Sequence, residues 1–66
     1  MQVHINGSPE SLPEPLTLSA LLARLGLEPS GVAVAINMNV VPRSAHGTTT
    51  ISEGDRVEIL QAVGGG

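Results

Sequence analysis

The sequence predicts an α+β fold: a small mixed sheet of four to five strands packed on one helix, in ββαββ order. Three observations carry this reading. Apolar and polar residues alternate near both ends, in Met1-Gln2-Val3-His4-Ile5 and again in Val57-Glu58-Ile59-Leu60-Gln61-Ala62-Val63, the period of a strand. Leu18, Leu21, Leu22 and Leu25 recur at i, i+3, i+4 and i+7, the stripe of a helix with one buried face. Turn-forming residues separate these segments, above all Asn6-Gly7, Glu28-Pro29-Ser30-Gly31 and Ser52-Glu53-Gly54-Asp55. With 66 residues the chain holds one domain, expected over residues 1–63, with a flexible glycine tail at 64–66.

Taken in order, the first strand ends at Asn6-Gly7, a pair suited to a type I′ hairpin turn because both central positions need positive φ. A second strand should run from Ser8 to about Leu12. Pro9 and Pro13 cannot donate ladder hydrogen bonds, so it belongs at a sheet edge. Thr17 is a suitable helix N-cap, Arg24 falls in the last turn and Gly26 stands where a C′ glycine would stop the helix. So short a helix does not hold alone in water and must lay its leucines on the sheet. Val32-Ala33-Val34-Ala35-Ile36 is a strand apolar on both faces. Val40-Val41 is a short strand stopped by Pro42, another edge signature, and Arg43 to Thr50 is an irregular connection anchored by Ile51. The chain therefore reads strand, strand, helix, strand, short strand, strand, with the first and last strands central.

The expected core is Val3, Ile5, Leu18, Leu21, Leu22, Leu25, Val32, Val34, Ile36, Val57 and Ile59. One helix covers one sheet face. Alternation puts Gln2, His4, Ala33, Ala35, Leu60 and Ala62 on the other, and His4, Ala33, Ala35, Leu60 and Ala62 form a candidate partner-docking face.

Composition excludes several kinds of chemistry. Without cysteine there is no disulfide, thiol nucleophile or thiolate metal site. Without lysine there is no Schiff-base nucleophile. No aromatic residue offers a stacking platform, and the net charge of −3 opposes phosphate-backbone binding, so no nucleic-acid partner is expected. No apolar run approaches a membrane span, and the N-terminus lacks a signal-peptide pattern, so the expected location is cytoplasmic. The six acids fall in turns or at solvent-facing positions, and His4 and His46 are distant in sequence and read as surface residues. No metal site and no catalytic constellation emerge, so the chain is not read as an enzyme. What remains is Gly64-Gly65-Gly66 directly after a strand. Glycine lacks Cβ, so such an arm passes where larger residues clash. It presents an ionised carboxylate that reacts only after activation by another protein.

These features resemble the ThiS-type sulfur carriers of thiamine biosynthesis, in the ubiquitin-like β-grasp superfamily related to the small subunit of molybdopterin synthase. The resemblance spans the whole chain. It is strongest in Val32-Ala33-Val34-Ala35-Ile36-Asn37, Val41-Pro42-Arg43, Glu53-Gly54-Asp55-Arg56-Val57-Glu58-Ile59 and the terminal glycines. It implies a β-grasp fold in which the Gly66 carboxylate is adenylated and converted to a thiocarboxylate that gives sulfur to the thiazole ring. Gly64 and Gly65 would thread the end into partner active sites. The implied partners are a ThiF-like adenylyltransferase using ATP and Mg²⁺, a ThiG-like thiazole synthase, and a sulfur donor such as a cysteine desulfurase. The chain itself would hold no cofactor. The alternatives are a carrier for molybdopterin or another sulfur-transfer pathway, or a ubiquitin-like protein modifier. Three positions differ from the family pattern: Gly64 precedes the glycine pair, Ser44-Ala45-His46 stands where an aromatic is common, and Met38 replaces a small or polar turn former.

Overall fold

The computed structural model describes residues 1–61. The strands are β1 (Gln2–Ile5), β2 (Ser8–Ser11), β3 (Val32–Ile36), β4 (Asn39–Val41) and β5 (Arg56–Gln61), and the helix α1 (Leu18–Arg24) lies between β2 and β3. All five strands join one mixed sheet in the order β2-β1-β5-β3-β4, so the fourth and fifth strands of the sequence reading are distinct elements. The last strand of the chain is the middle of the sheet, parallel to β1 and antiparallel to β3. Both proline-marked strands are edges, as expected. No helix among the described residues is long and apolar enough to cross a membrane.

The β1–β2 hairpin turns at Asn6 (φ +50°) and Gly7 (φ +83°), the left-handed pair of a type I′ turn. Asn6 does more than turn the chain. β1 pairs with β5 over only two positions, His4 with Arg56 and Ile5 with Val57. Beyond them the Asn6 side chain replaces the missing strand. Its Oδ1 accepts from the Ile59 amide at 2.8 Å and its Nδ2 donates to the Ile59 carbonyl at 3.2 Å. A carboxamide carries one acceptor and a donor in the layout of a peptide unit, so it can continue a ladder.

Asn37 does a related task at the other end of β5. It stands at φ +51° in the β3–β4 turn; its Oδ1 accepts from the Arg56 amide and its Nδ2 donates to Asp55 Oδ1, each at 3.0 Å. Asp55 Oδ2 in turn accepts from the Ser52 amide at 2.7 Å, closing the turn that leads into β5.

Thr17 caps α1, its Oγ1 accepting from Ala20 N at 3.1 Å. The other free amides of the first turn are taken by the irregular connection. Leu18 N donates to Thr49 O at 2.8 Å and Ser19 N to His46 O at 3.1 Å. The helix ends in a Schellman motif: Gly26 N donates to Ala23 O, Leu27 N donates to Leu22 O, and Gly26 adopts φ +74°.

Two expectations are corrected here. Leu25 lies on the helical stripe but is 42% exposed. The helix stops at Arg24, and the left-handed turn at Gly26 brings Leu27, not Leu25, back against the core. His46 is not a surface residue; it is 3% exposed, with Nε2 3.3 Å from the Val41 carbonyl and Nδ1 buried without a partner. Its burial follows from the hydrogen bond of its own carbonyl to Ser19, which draws the connection under the start of the helix.

The core comprises Val3, Leu12, Leu18, Leu21, Leu22, Val34, Ile36, Ile51, Val57 and Ile59. Ile5 and Val32, expected inside, are half-buried at its margin. Leu12 joins it because Met1 and Leu12 exchange both backbone hydrogen bonds, extending the hairpin one pair past Ser11.

Two outcomes follow. Leu21→Ala should cost about 2–5 kcal/mol in urea unfolding, whereas Leu25→Ala should cost less than about 1 kcal/mol. Asn6→Gly preserves the positive φ but removes the amide bridge. It should cost about 1–3 kcal/mol and speed hydrogen exchange at the Ile59 amide.

Candidate functional site

The side of the sheet away from α1 carries no second layer among the described residues. Register aligns its side chains in rows. Val40 lies opposite Ala35 and Ala35 opposite Glu58, while Ala33 lies opposite Leu60. Val40 and Leu60 are 79% and 71% exposed. Ala33, Ala35, Val40 and Leu60 enclose a shallow depression of about 170 Å³, with Glu58 on its rim. On the β1 side, His4 pairs with Arg56. A wider groove of about 500 Å³ there is lined by His4, Asn6, Asn37, Met38, Arg56 and Glu58, among others.

Of the docking residues expected from sequence, Ala33, Ala35 and Leu60 are therefore contiguous. His4 shares the face but sits across β5, in the polar groove. Ala62 lies outside the described residues, as do Gly64, Gly65 and Gly66, and with them the proposed boundary after residue 63. β5, which carries Glu58 and Leu60 of the open face, is described to Gln61.

Sequence reasoning left Val40, Met38, Arg56 and Glu58 out of this face. Val40 was detectable: a two-residue turn at Asn37-Met38 fixes the register that sets it beside Ala35. Glu58 was detectable too, since the alternation that exposes Leu60 exposes it. Its charge also fits plain solvent exposure.

Met38 is 85% exposed at φ +72°, an unfavourable conformation for a residue with a Cβ. Its neighbour Asn37 tolerates positive φ, so the strain falls on Met38.

The exposed apolar and charged side chains of this face suit recognition. Among the described residues no three His, Asp or Glu side chains are grouped to hold a metal ion. His4 lies on the open face and His46 in the interior, so the two imidazoles do not form one site. Glu53 and Asp55 are engaged in the turn before β5, where Glu53 accepts from Gln2 N at 3.0 Å.

Comparison with known proteins gives concordant matches. The ThiS family model matches residues 3–66. A thiazole synthase of Magnetococcus marinus is 39% identical over 66 residues, covering all of this chain and 20% of that protein. The chain thus spans about a fifth of the length of the curated relatives it matches first. The sulfur carrier protein ThiS of Escherichia coli is 30% identical, with both chains fully covered. The crystal structure of a thiamine biosynthesis protein (ThiS) from Geobacter metallireducens superposes with a TM-score of 0.87 at 36% identity, again over both full chains.

Replacing Met38 with glycine should remove the left-handed penalty at the β3–β4 turn. Thermal unfolding is expected to show a gain of up to about 1 kcal/mol, because glycine at this position restores a favoured type I′ pair.

Proposed function

The chain belongs to the ThiS family, and on that premise we propose that it is a sulfur carrier supplying thiazole formation in thiamine biosynthesis. The observation that carries the proposal is the match of residues 3–66, which includes the glycines, to that family. A ubiquitin-like β-grasp framework supports it: the central strand, which carries an open, partly apolar face, is described to Gln61 and immediately precedes residues 62–66 in sequence.

In this reading Gly66 is the reacting residue and Gly64 and Gly65 are its leash. A carboxylate is a poor electrophile, so an adenylyltransferase must activate it. One carboxylate oxygen attacks the α-phosphorus of ATP, pyrophosphate leaves with Mg²⁺, and an acyl adenylate forms. Hydrosulfide, released from the persulfide of a donor such as a cysteine desulfurase by two electrons from a pair of thiols that become a disulfide, then adds to the acyl carbon. The C–O bond to AMP breaks as the C–S bond forms, and a thiocarboxylate remains. Thiazole synthase accepts that sulfur. Its role as the recipient is supported by thiazole synthases that contain a related stretch of equal length. The chain acts as a co-substrate, with ATP and Mg²⁺ held by its partner, and it works in the cytoplasm, where ATP is plentiful.

Incubation with ATP, Mg²⁺, the adenylyltransferase and a sulfide source, followed by intact mass measurement, tests this. The expected products are an adenylate and then a species with one oxygen exchanged for sulfur. A mass that never changes overturns the proposal. Gly66→Ala should leave the melting temperature unchanged and slow adenylation by crowding the partner's channel. Removal of Gly65 and Gly66 should abolish it.

A further inference from the structure

Asn6 joins two properties that conflict. It completes the hydrogen bonding of β5 at Ile59, and it stands directly before a glycine. In an Asn-Gly pair the glycine nitrogen can attack the Asn side-chain carbonyl carbon, because no Cβ shields the approach. The nucleophile is accessible here. Gly7 is exposed, and its amide takes part in none of the described hydrogen bonds. Apart from the adjoining residues, no atom lies within 4 Å of the place a Cβ would take.

The electrophile is held back. Asn6 N donates to Val57 O at 2.9 Å, Oδ1 accepts from Ile59 N at 2.8 Å, and Nδ2 donates to Ile59 O at 3.2 Å. Closing a ring on Gly7 N requires the carboxamide to leave both bonds to Ile59.

We propose that Asn6 is a spontaneous deamidation site, gated by local separation of the β1–β2 turn from β5. The Gly7 nitrogen, its proton taken by solvent base, bonds to Asn6 Cγ. The Cγ–Nδ2 bond breaks, and the departing nitrogen takes a proton from water and leaves as ammonia. Water then opens the succinimide. Cleavage between Cγ and the Gly7 nitrogen leaves aspartate; cleavage between that nitrogen and the Asn6 carbonyl carbon leaves isoaspartate, whose main chain runs through Cβ and Cγ. Either product has lost the amide donor and turns acceptor oxygens toward the Ile59 carbonyl. β5 then keeps its two paired positions with β1 but not the bridge beyond them. Asn37 and Asn39 provide the contrast: both are exposed, but the side chains of Met38 and Val40 crowd the attacking nitrogen. The site is independent of the carrier reading.

Peptide mapping by mass spectrometry, on the full chain aged in mildly alkaline buffer with and without guanidinium chloride, tests this. Asn6 should convert about tenfold or more faster in denaturant, where the two hydrogen bonds to Ile59 no longer have to open. Asn37 and Asn39 should trail it there. The slowing in the folded chain should be at least the hydrogen-exchange protection of the Ile59 amide under the same conditions. Less slowing than that overturns the gate, and an Asn6 that stays an amide in denaturant overturns the site. Asn6→Asp reproduces one product. It should melt below wild type and exchange faster at Ile59; an unchanged melting temperature with unchanged exchange overturns the structural consequence. If Asn6→Asp does not fold, the aged wild-type chain, separated by its added negative charge, supplies the same two measurements.

Discussion

The structure depends on keeping the backbone of β5 hydrogen-bonded from both sides. A central strand cannot leave amides and carbonyls unpaired beside a dry core. β3 serves one side over five consecutive positions, from Val32 opposite Gln61 to Ile36 opposite Val57. The other side is harder, because β1 ends after two paired positions. The Asn6 amide fills that gap at Ile59, and the Asn37 amide secures the entry at Arg56. Two hairpin turns, one at Asn6-Gly7 and one at Asn37-Met38, thus close on one strand. In a chain with neither aromatic residues nor disulfides, such polar brackets set the strand's register without adding core volume.

The helix depends on similar loans. At seven residues, α1 is too short to persist by itself. Its three fully buried leucines hold it to the sheet, and its first amides are satisfied by Thr17, His46 and Thr49. The irregular stretch after β4 is therefore part of the helix's N-terminal cap, although its own backbone is neither helix nor strand for most of its length. Ile51 closes this arrangement by entering the core just after Thr50 bridges to Thr17.

Much of this was legible beforehand, for physical reasons. Strand alternation, the Asn6-Gly7 pair and the Thr17-to-Gly26 helix signals are local, and local sterics and hydrogen bonding decide them. The prolines marked both edges because a missing N–H matters wherever the strand lies. What escaped was set by distant contacts. The burial of His46 depends on a hydrogen bond from its backbone carbonyl to Ser19, and the exposure of Leu25 depends on the chain reversing at Gly26. The bracketing roles of Asn6 and Asn37 require knowing which strand becomes the neighbour of β1 and β3. For the open face, alternation located Ala33, Ala35 and Leu60; Val40 needs in addition the register set by the two-residue Asn37-Met38 turn, which is a local signal.

The edges limit how another molecule can approach. Since Met1 and Leu12 exchange both hydrogen bonds, antiparallel alternation turns the nitrogen of Pro9 outward, where it has no hydrogen to give. The opposite margin, β4, is three residues long and ends at Pro42. Neither rim offers a long template for a foreign strand. A visitor engaging the sheet is thereby steered onto its open plane, where Val40 and Leu60 stand exposed.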